Sequence, residues 1–223
     1  TLQLRWLVLQ PTPGVLFSRD APSELRLING TTDTGPRDFA IGGQFSPPLF
    51  SATPFAEPTP YSTVAVATHA VNVTPVGNPG VLELNQQLAT GPLQRATLLF
   101  GGPAGTLTYA VAFDDGRRIQ NEAKLLFMNA ATQFTSVEFV VVPPGDDPAN
   151  YQAAAALVAP GTRPNYDAFP AGDYDLYLRQ PSTTTLYFGP TRITLAAKGI
   201  YRVLAVNGAD TATAGVAFFD DFP

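Results

Sequence analysis

Along this chain, short apolar runs alternate with clusters of glycine, proline and small polar residues. The runs are rich in Val, Leu, Tyr, Phe and Thr and fall at 63–74, 97–100, 106–113, 137–142, 174–179 and 200–206. Runs this short, with turn residues between them, predict antiparallel strands in a sandwich or barrel. Gly101-Gly102-Pro103-Ala104-Gly105 lies between two such runs and predicts a hairpin loop. One segment reads differently. Residues 151–158 are Ala-rich and end before Pro160, which predicts a short helix or turn.

The runs recur in order, as an internal repeat. Leu25-Arg26-Leu27-Ile28-Asn29-Gly30 returns as Leu125-Leu126-Phe127-Met128-Asn129-Ala130, and Asp38-Phe39-Ala40-Ile41 as Glu138-Phe139-Val140-Val141. Tyr61 matches Tyr166, and Thr97-Leu98-Leu99-Phe100 matches Arg202-Val203-Leu204-Ala205. Phe113-Asp114-Asp115 closes the first copy as Phe219-Asp220-Asp221 closes the second. The expected fold is therefore all-β: two tandem immunoglobulin-like antiparallel β-sandwich domains, at 23–118 and 123–223, with an N-terminal strand extension at 1–22. The polar run Asp114-Asp115-Gly116-Arg117-Arg118 reads as the linker.

Composition narrows the function classes. Only 14% of residues are charged and the net charge is -5, so the basic stripe that nucleic acid requires is missing. With no cysteine, disulfides, thiolate nucleophiles and iron–sulfur clusters are excluded, and one histidine excludes a multi-histidine metal site within one chain. No apolar run approaches the ~20 residues of a membrane helix. The first residue is Thr1, not Met, which reads as a processed or trimmed product, a removed secretory signal being one origin. This Thr-rich, lysine-poor composition suits a bacterial exported β protein.

At the repeated residues the chain resembles a bacterial family of exported tandem β-sandwich domains, catalogued only as a domain of unknown function. That family opens with a strand ending in a Val-His-Ala-Ser-Pro-Asp-Ala-Pro turn, continues with a Val-Asp-Val strand, and later has a Pro-Ala-Gly-x-Tyr turn. Here Pro170-Ala171-Gly172-Asp173-Tyr174 is the closest match, with Leu25 to Asn29, the turn Thr31-Thr32-Asp33 and Asp38-Phe39-Ala40-Ile41 in the opening positions. The family's His and Pro-Asp-Ala-Pro are absent from both copies. The resemblance implies a secreted or cell-surface sandwich and no catalytic residues.

Residues 1–22 belong to neither copy. Leu2, Leu4, Trp6 and Val8 alternate onto one face of a strand, with Gln3 and Arg5 on the other. Pro11 and Pro13 end it; if the strand is donated to a neighbour, Pro11, Pro13 and Gly14 are the bridge between subunits. Such a strand must pair with something. It either pairs within its own domain as an edge strand, completes a neighbouring subunit as a donated strand, or is domain-swapped.

Candidate chemistry is thin. His69, the one conventional neutral-pH base, falls opposite Tyr174 of the other copy, a structural position. The acidic pairs Asp114-Asp115, Asp146-Asp147, Asp173 with Asp175, and Asp220-Asp221 read as solvated strand ends rather than a glycosidase pair or calcium site. Tyr166, Tyr174, Tyr177, Tyr187 and Tyr201 are expected mainly in the core. Asn29-Gly30-Thr31 and Asn72-Val73-Thr74 match the glycosylation pattern. No Gly-x-Ser-x-Gly elbow, P-loop or dinucleotide fingerprint occurs. The expected function is a non-enzymatic, secreted structural or assembly protein, a subunit of an extracellular fibre or surface matrix joined by strand donation. Its partners are further copies of itself, and no cofactor is expected. The alternative is a monomeric secreted binding module for carbohydrate or protein.

Overall fold

The computed structural model describes residues 18, 20–31, 35–160, 162 and 165–222, with the backbone alone at 157. The chain forms two tandem β-sandwiches. The first contains β1 (Ser23–Thr31), β2 (Arg37–Ile41), β3 (Phe50–Thr53), β4 (Ser62–Val64), β5 (Thr68–Pro75), β6 (Leu84–Ala89), β7 (Arg95–Gly102) and β8 (Thr108–Phe113). The second contains β9 (Glu122–Asn129), β10 (Val137–Val142), β11 (Ala155–Val158), β12 (Tyr166–Pro170), β13 (Gly172–Arg179), β14 (Leu186–Leu195), β15 (Ile200–Asn207) and β16 (Ala214–Asp220).

The strand orders repeat. The first sandwich stacks a β4-β1-β7-β8 sheet on a β3-β2-β5-β6 sheet; the second stacks β12-β9-β15-β16 on β11-β10-β13-β14. β1 and β7 pair in parallel, and so do β9 and β15. The repeat read from the sequence is thus a repeat of topology. The hairpin expected at 101–105 joins β7 to β8 in antiparallel register.

Three expectations change. The run at 63–74 is two strands, β4 and β5, because the chain crosses from one sheet to the other at Ala65–Ala67. Residues 151–158 form no helix. A 3₁₀ turn occupies Pro148–Asn150, and Ala155–Val158 is the edge strand β11, paired with Val137 and Phe139. Eight residues nucleate a helix poorly, so a waiting sheet edge overrides the preference of alanine. The closing Phe-Asp-Asp triplets are also one residue out of step. β7 pairs Ala96 with Phe113 whereas β15 pairs Tyr201 with Asp220, so the equivalent of Asp114 is Asp221.

Alternation along the inner strands explains how the sandwiches meet. In β1, Leu25 and Leu27 enter the first core with Phe39, Val71, Val73 and Leu98. In β9, Leu125 and Phe127 enter the second core with Phe139, Leu176 and Val203. The opposite faces of the same strands are apolar too. Ile28, Leu99, Ala110 and Ala112 pack against Leu126, Met128, Ala130, Leu204 and Val206. The two inner sheets therefore face each other and the molecule is four sheets deep. Each large aliphatic side chain buried there contributes roughly 1.5–3 kcal/mol, which makes this a fixed joint and not a hinge. The contact is close at its centre, where a Cβ added to Gly30 would fall 2.5 Å from Cβ of Ala130, its equivalent in the other copy.

Candidate functional site

Two regions concentrate polar or open features: the joint between the sandwiches, and one corner of the first sandwich.

At the joint, a charge sits inside each apolar run. Arg26 follows Leu25 in β1, and Arg202 follows Tyr201 in β15; parity turns both toward the opposing sheet. Arg202 Nη2 donates to Asp114 Oδ1 at 2.5 Å and to Asp221 Oδ2 at 2.9 Å, and all three side chains are fully buried. Arg26 donates to Asp221 Oδ1 and, through Nε, to Thr97 Oγ1 at 2.7 Å. Thr97 passes a hydrogen bond on to Asp114 Oδ2 at 2.6 Å. Tyr61 donates to Asp114 at 2.8 Å and Tyr166 to Asp221 at 3.0 Å. A cation lies over each of these rings: Arg26 at 4.6 Å from that of Tyr61, and Lys124 at 4.8 Å from that of Tyr166. Each sandwich thus offers one arginine, one aspartate and one tyrosine, and each arginine reaches the other's aspartate. The tyrosines and aspartates hold equivalent places in the two copies, but the arginines do not: the equivalent of Arg26 is Leu126, and that of Arg202 is Thr97.

The electrostatics match a closed structural lock. Burial pushes both phenols well above the usual tyrosine range, and the neighbouring Asp114 or Asp221 pushes further. Burial alone would lower Arg202, but Asp221 and Asp114 outweigh it and the guanidinium is held more firmly protonated than usual. The acidic pairs at 114–115 and 220–221 are therefore not simply solvated strand ends. Asp114 and Asp221 are buried partners of arginine, while Asp220 is an exposed turn cap accepting from the Phe222 amide at 3.0 Å. The segment after β8 does connect the sandwiches, but it begins inside the lock. Its second residue, Asp115, binds Arg117 and Lys124, and hydrogen bonds from Arg117 first hold its carboxyl well below the usual range.

The remaining acidic pairs are satisfied locally. Asp146 accepts from Tyr151, Asp147 caps the 3₁₀ turn through Ala149 N, Asp173 accepts from Thr194, and Asp175 accepts from Arg192 and Gly145 N. Among the described residues no three His, Asp or Glu side chains cluster as metal ligands. Tyr177 and Tyr201 are buried as expected; Tyr201 stacks on Phe218 and Tyr187 on Phe134. Neither glycosylation match is accessible. Asn29 is fully buried and donates to the carbonyls of Gly35 and Thr53, and Asn72 is buried in β5.

The corner lies where β4 passes into β5, a few residues along the chain from Tyr61 of the joint. Ile41, Gln44, Pro47, Pro48, Leu49, Val64, Ala65 and His69 line an open depression of about 350 Å³. His69 Nε2 lies 2.8 Å from the carbonyl of Ala65; a carbonyl only accepts, so this nitrogen carries a proton. Registers in the two sandwiches make Val64 the equivalent of Phe169 and His69 the equivalent of Tyr174. In the second sandwich those rings pack edge to face with centroids 6.0 Å apart, and Tyr174 donates to the Pro170 carbonyl at 2.9 Å. A valine and an imidazole leave open what two larger rings occupy in the other copy.

Of the assembly residues read from the sequence, Leu2, Leu4, Trp6 and Val8, with the bridge Pro11, Pro13 and Gly14, lie outside the described residues. Sequence reasoning passed over Arg26 and Arg202. The available signal was a lone arginine inside each of two apolar strands. No protein-family model matches the chain, and no curated protein matches it significantly.

Proposed function

We propose that this chain is a non-enzymatic structural or assembly protein, exported to the cell surface or beyond, whose copies join by N-terminal strand donation into a fibre or matrix. The observation that carries the reading is the alternation of Leu2, Leu4, Trp6 and Val8 in a segment that neither repeat accounts for. The joint supports it: two sandwiches locked by an apolar face and reciprocal ion pairs make a stiff block, which suits a load-bearing unit. The resemblance to exported tandem sandwiches points the same way. A head-to-tail contact of this kind repeats without closing unless its geometry makes a ring.

Sedimentation across a concentration series tests the reading. The intact chain is expected to grow with concentration, and deletion of residues 1–10 is expected to leave a folded monomer. A deleted chain that assembles as before would rule donation out. The open corner favours a second reading, a monomeric binding module for carbohydrate or protein. In that case the intact chain sediments as a monomer throughout.

A further inference from the structure

We infer that the open corner of the first sandwich is the acceptor seat for the donated strand of a second copy, with Trp6 as the side chain that fills it. The inference rests on the donation reading and adds where the strand goes. Three independent observations meet at this corner. The first is a vacancy of aromatic size: Val64 and His69 stand where the second sandwich packs Phe169 against Tyr174. The second is a sheet edge left open among the described residues. β4 is a three-residue edge strand, and exposed apolar side chains flank it at Val66 and at Leu93, whose loop is tied to this corner by the Thr90 amide bonding to the Ala67 carbonyl at 2.9 Å. The third is the guest. The chain holds a single tryptophan, and it lies mid-way in the alternating apolar face of residues 2–8.

The choice of a second copy follows from the donation reading, in which residues 1–10 complete a neighbouring subunit. Ser23, the first residue of β1, pairs with Val64 at the edge of the depression, so the chain enters β1 beside the seat, just after a turn closed by the Ala21 amide donating to the Ser18 carbonyl at 3.0 Å. In the donation reading Pro11, Pro13 and Gly14 bridge the two subunits, a proline-rich stretch acting as a semi-rigid spacer. If extended, the eleven residue steps from Trp6 to Phe17 span about 36 Å, enough to cross to the same corner of a neighbour. The lining is largely aliphatic and proline, which fits an indole, and the His69 ring edge borders it.

The single tryptophan makes its own reporter. Red-edge excitation of the intact chain is expected to show a blue-shifted Trp6 emission that appears with assembly in the sedimentation series. The double variant Val64→Phe with His69→Tyr installs a pair that the second sandwich already packs. It is expected to melt like the wild type, to shift Trp6 emission to that of a solvated indole, and to weaken association on the order of tenfold or more, as excluding a buried aromatic anchor does. If the double variant fails to fold, Ala65→Glu at the exposed lip is expected to give the same two losses. Variants that assemble as tightly as the wild type with Trp6 still shielded would overturn the seat and leave donation standing. A variant-sensitive, shielded Trp6 in a chain that is always monomeric would overturn the second copy as occupant. If the intact chain stays monomeric with Trp6 solvated, donation itself falls, and the seat with it.

Discussion

Tyr61 and Asp114 in the first sandwich stand where the second has Tyr166 and Asp221, yet Val64 and His69 stand where the second has Phe169 and Tyr174. The first correspondence lies at the joint and the second at a neighbouring corner, three residues along the chain from each tyrosine. At the joint both copies face the same problem, since each must satisfy a buried carboxylate with the other's arginine, and so both keep the tyrosine and the aspartate, although the arginines come from the non-equivalent strands β1 and β15. At the corner nothing in the fold demands that the copies agree. The larger rings of the second copy close its corner, and the smaller side chains of the first leave its corner open. The difference separates what holds the molecule together from what is available to a partner.

Breaking the lock is expected to have the largest effect. Asp221→Ala removes the acceptor for Arg26, Arg202 and Tyr166 and leaves a fully buried guanidinium with one carboxylate instead of two. A loss of about 3–5 kcal/mol is expected in urea unfolding. Asp114→Ala should cost a similar amount, because it holds the equivalent place. A nearly neutral Asp114→Ala would show that the reciprocity is geometric and not energetic.

The centre of the joint offers a sharper probe of symmetry. Gly30→Ala places a Cβ 2.5 Å from that of Ala130 and is expected to cost about 1–3 kcal/mol by overpacking. Adding Ala130→Gly exchanges the two equivalent residues and should restore most of that loss. A double-mutant cycle measures the coupling, and additive losses would mean that the two positions do not share one contact.

The tyrosines give the smallest effect and a pH signature. Their folded values are raised, by burial first, so the folded state holds the phenolic proton more tightly than the unfolded chain. The associated stability is fully present below about pH 10, the ordinary tyrosine value, and is lost as pH rises above it. Thermal melts are expected to fall over that alkaline range. Tyr61→Phe and Tyr166→Phe should each lower stability near neutrality by about 1 kcal/mol and flatten the alkaline fall. An unchanged alkaline profile in the double variant would place the responsible group elsewhere.

Much of the fold was legible because strands announce themselves locally. The matched runs Leu25–Gly30 and Leu125–Ala130 became β1 and β9 with corresponding registers, and the glycine-rich loop became the β7–β8 hairpin. Residues 151–158 misled for the opposite reason: alanine carries a weak intrinsic preference, and the unpaired edge of β10 outweighed it. At the corner, the match of His69 with Tyr174 was readable, but the void was not. A void depends on Val64, Leu49 and Pro47, which the chain brings together from β4 and the β2–β3 connection.

By itself the sequence determined the all-β class, the duplication and the charge-poor, cysteine-free character of the chain, because period, turn residues and composition are properties of neighbours along the chain. It also held an unread sign of depth: Leu25 to Ile28 and Leu125 to Met128 keep both strand faces largely apolar, and strands buried on both sides do so. Only the tertiary structure decided what covered the second face. It brought Arg26 to Asp221 and Arg202 to Asp114 across 195 and 88 residues, closing the two sandwiches into one body. A run of side chains records that a surface must be buried; its partner is set by shape and charge complementarity between surfaces that meet only after both sheets have formed.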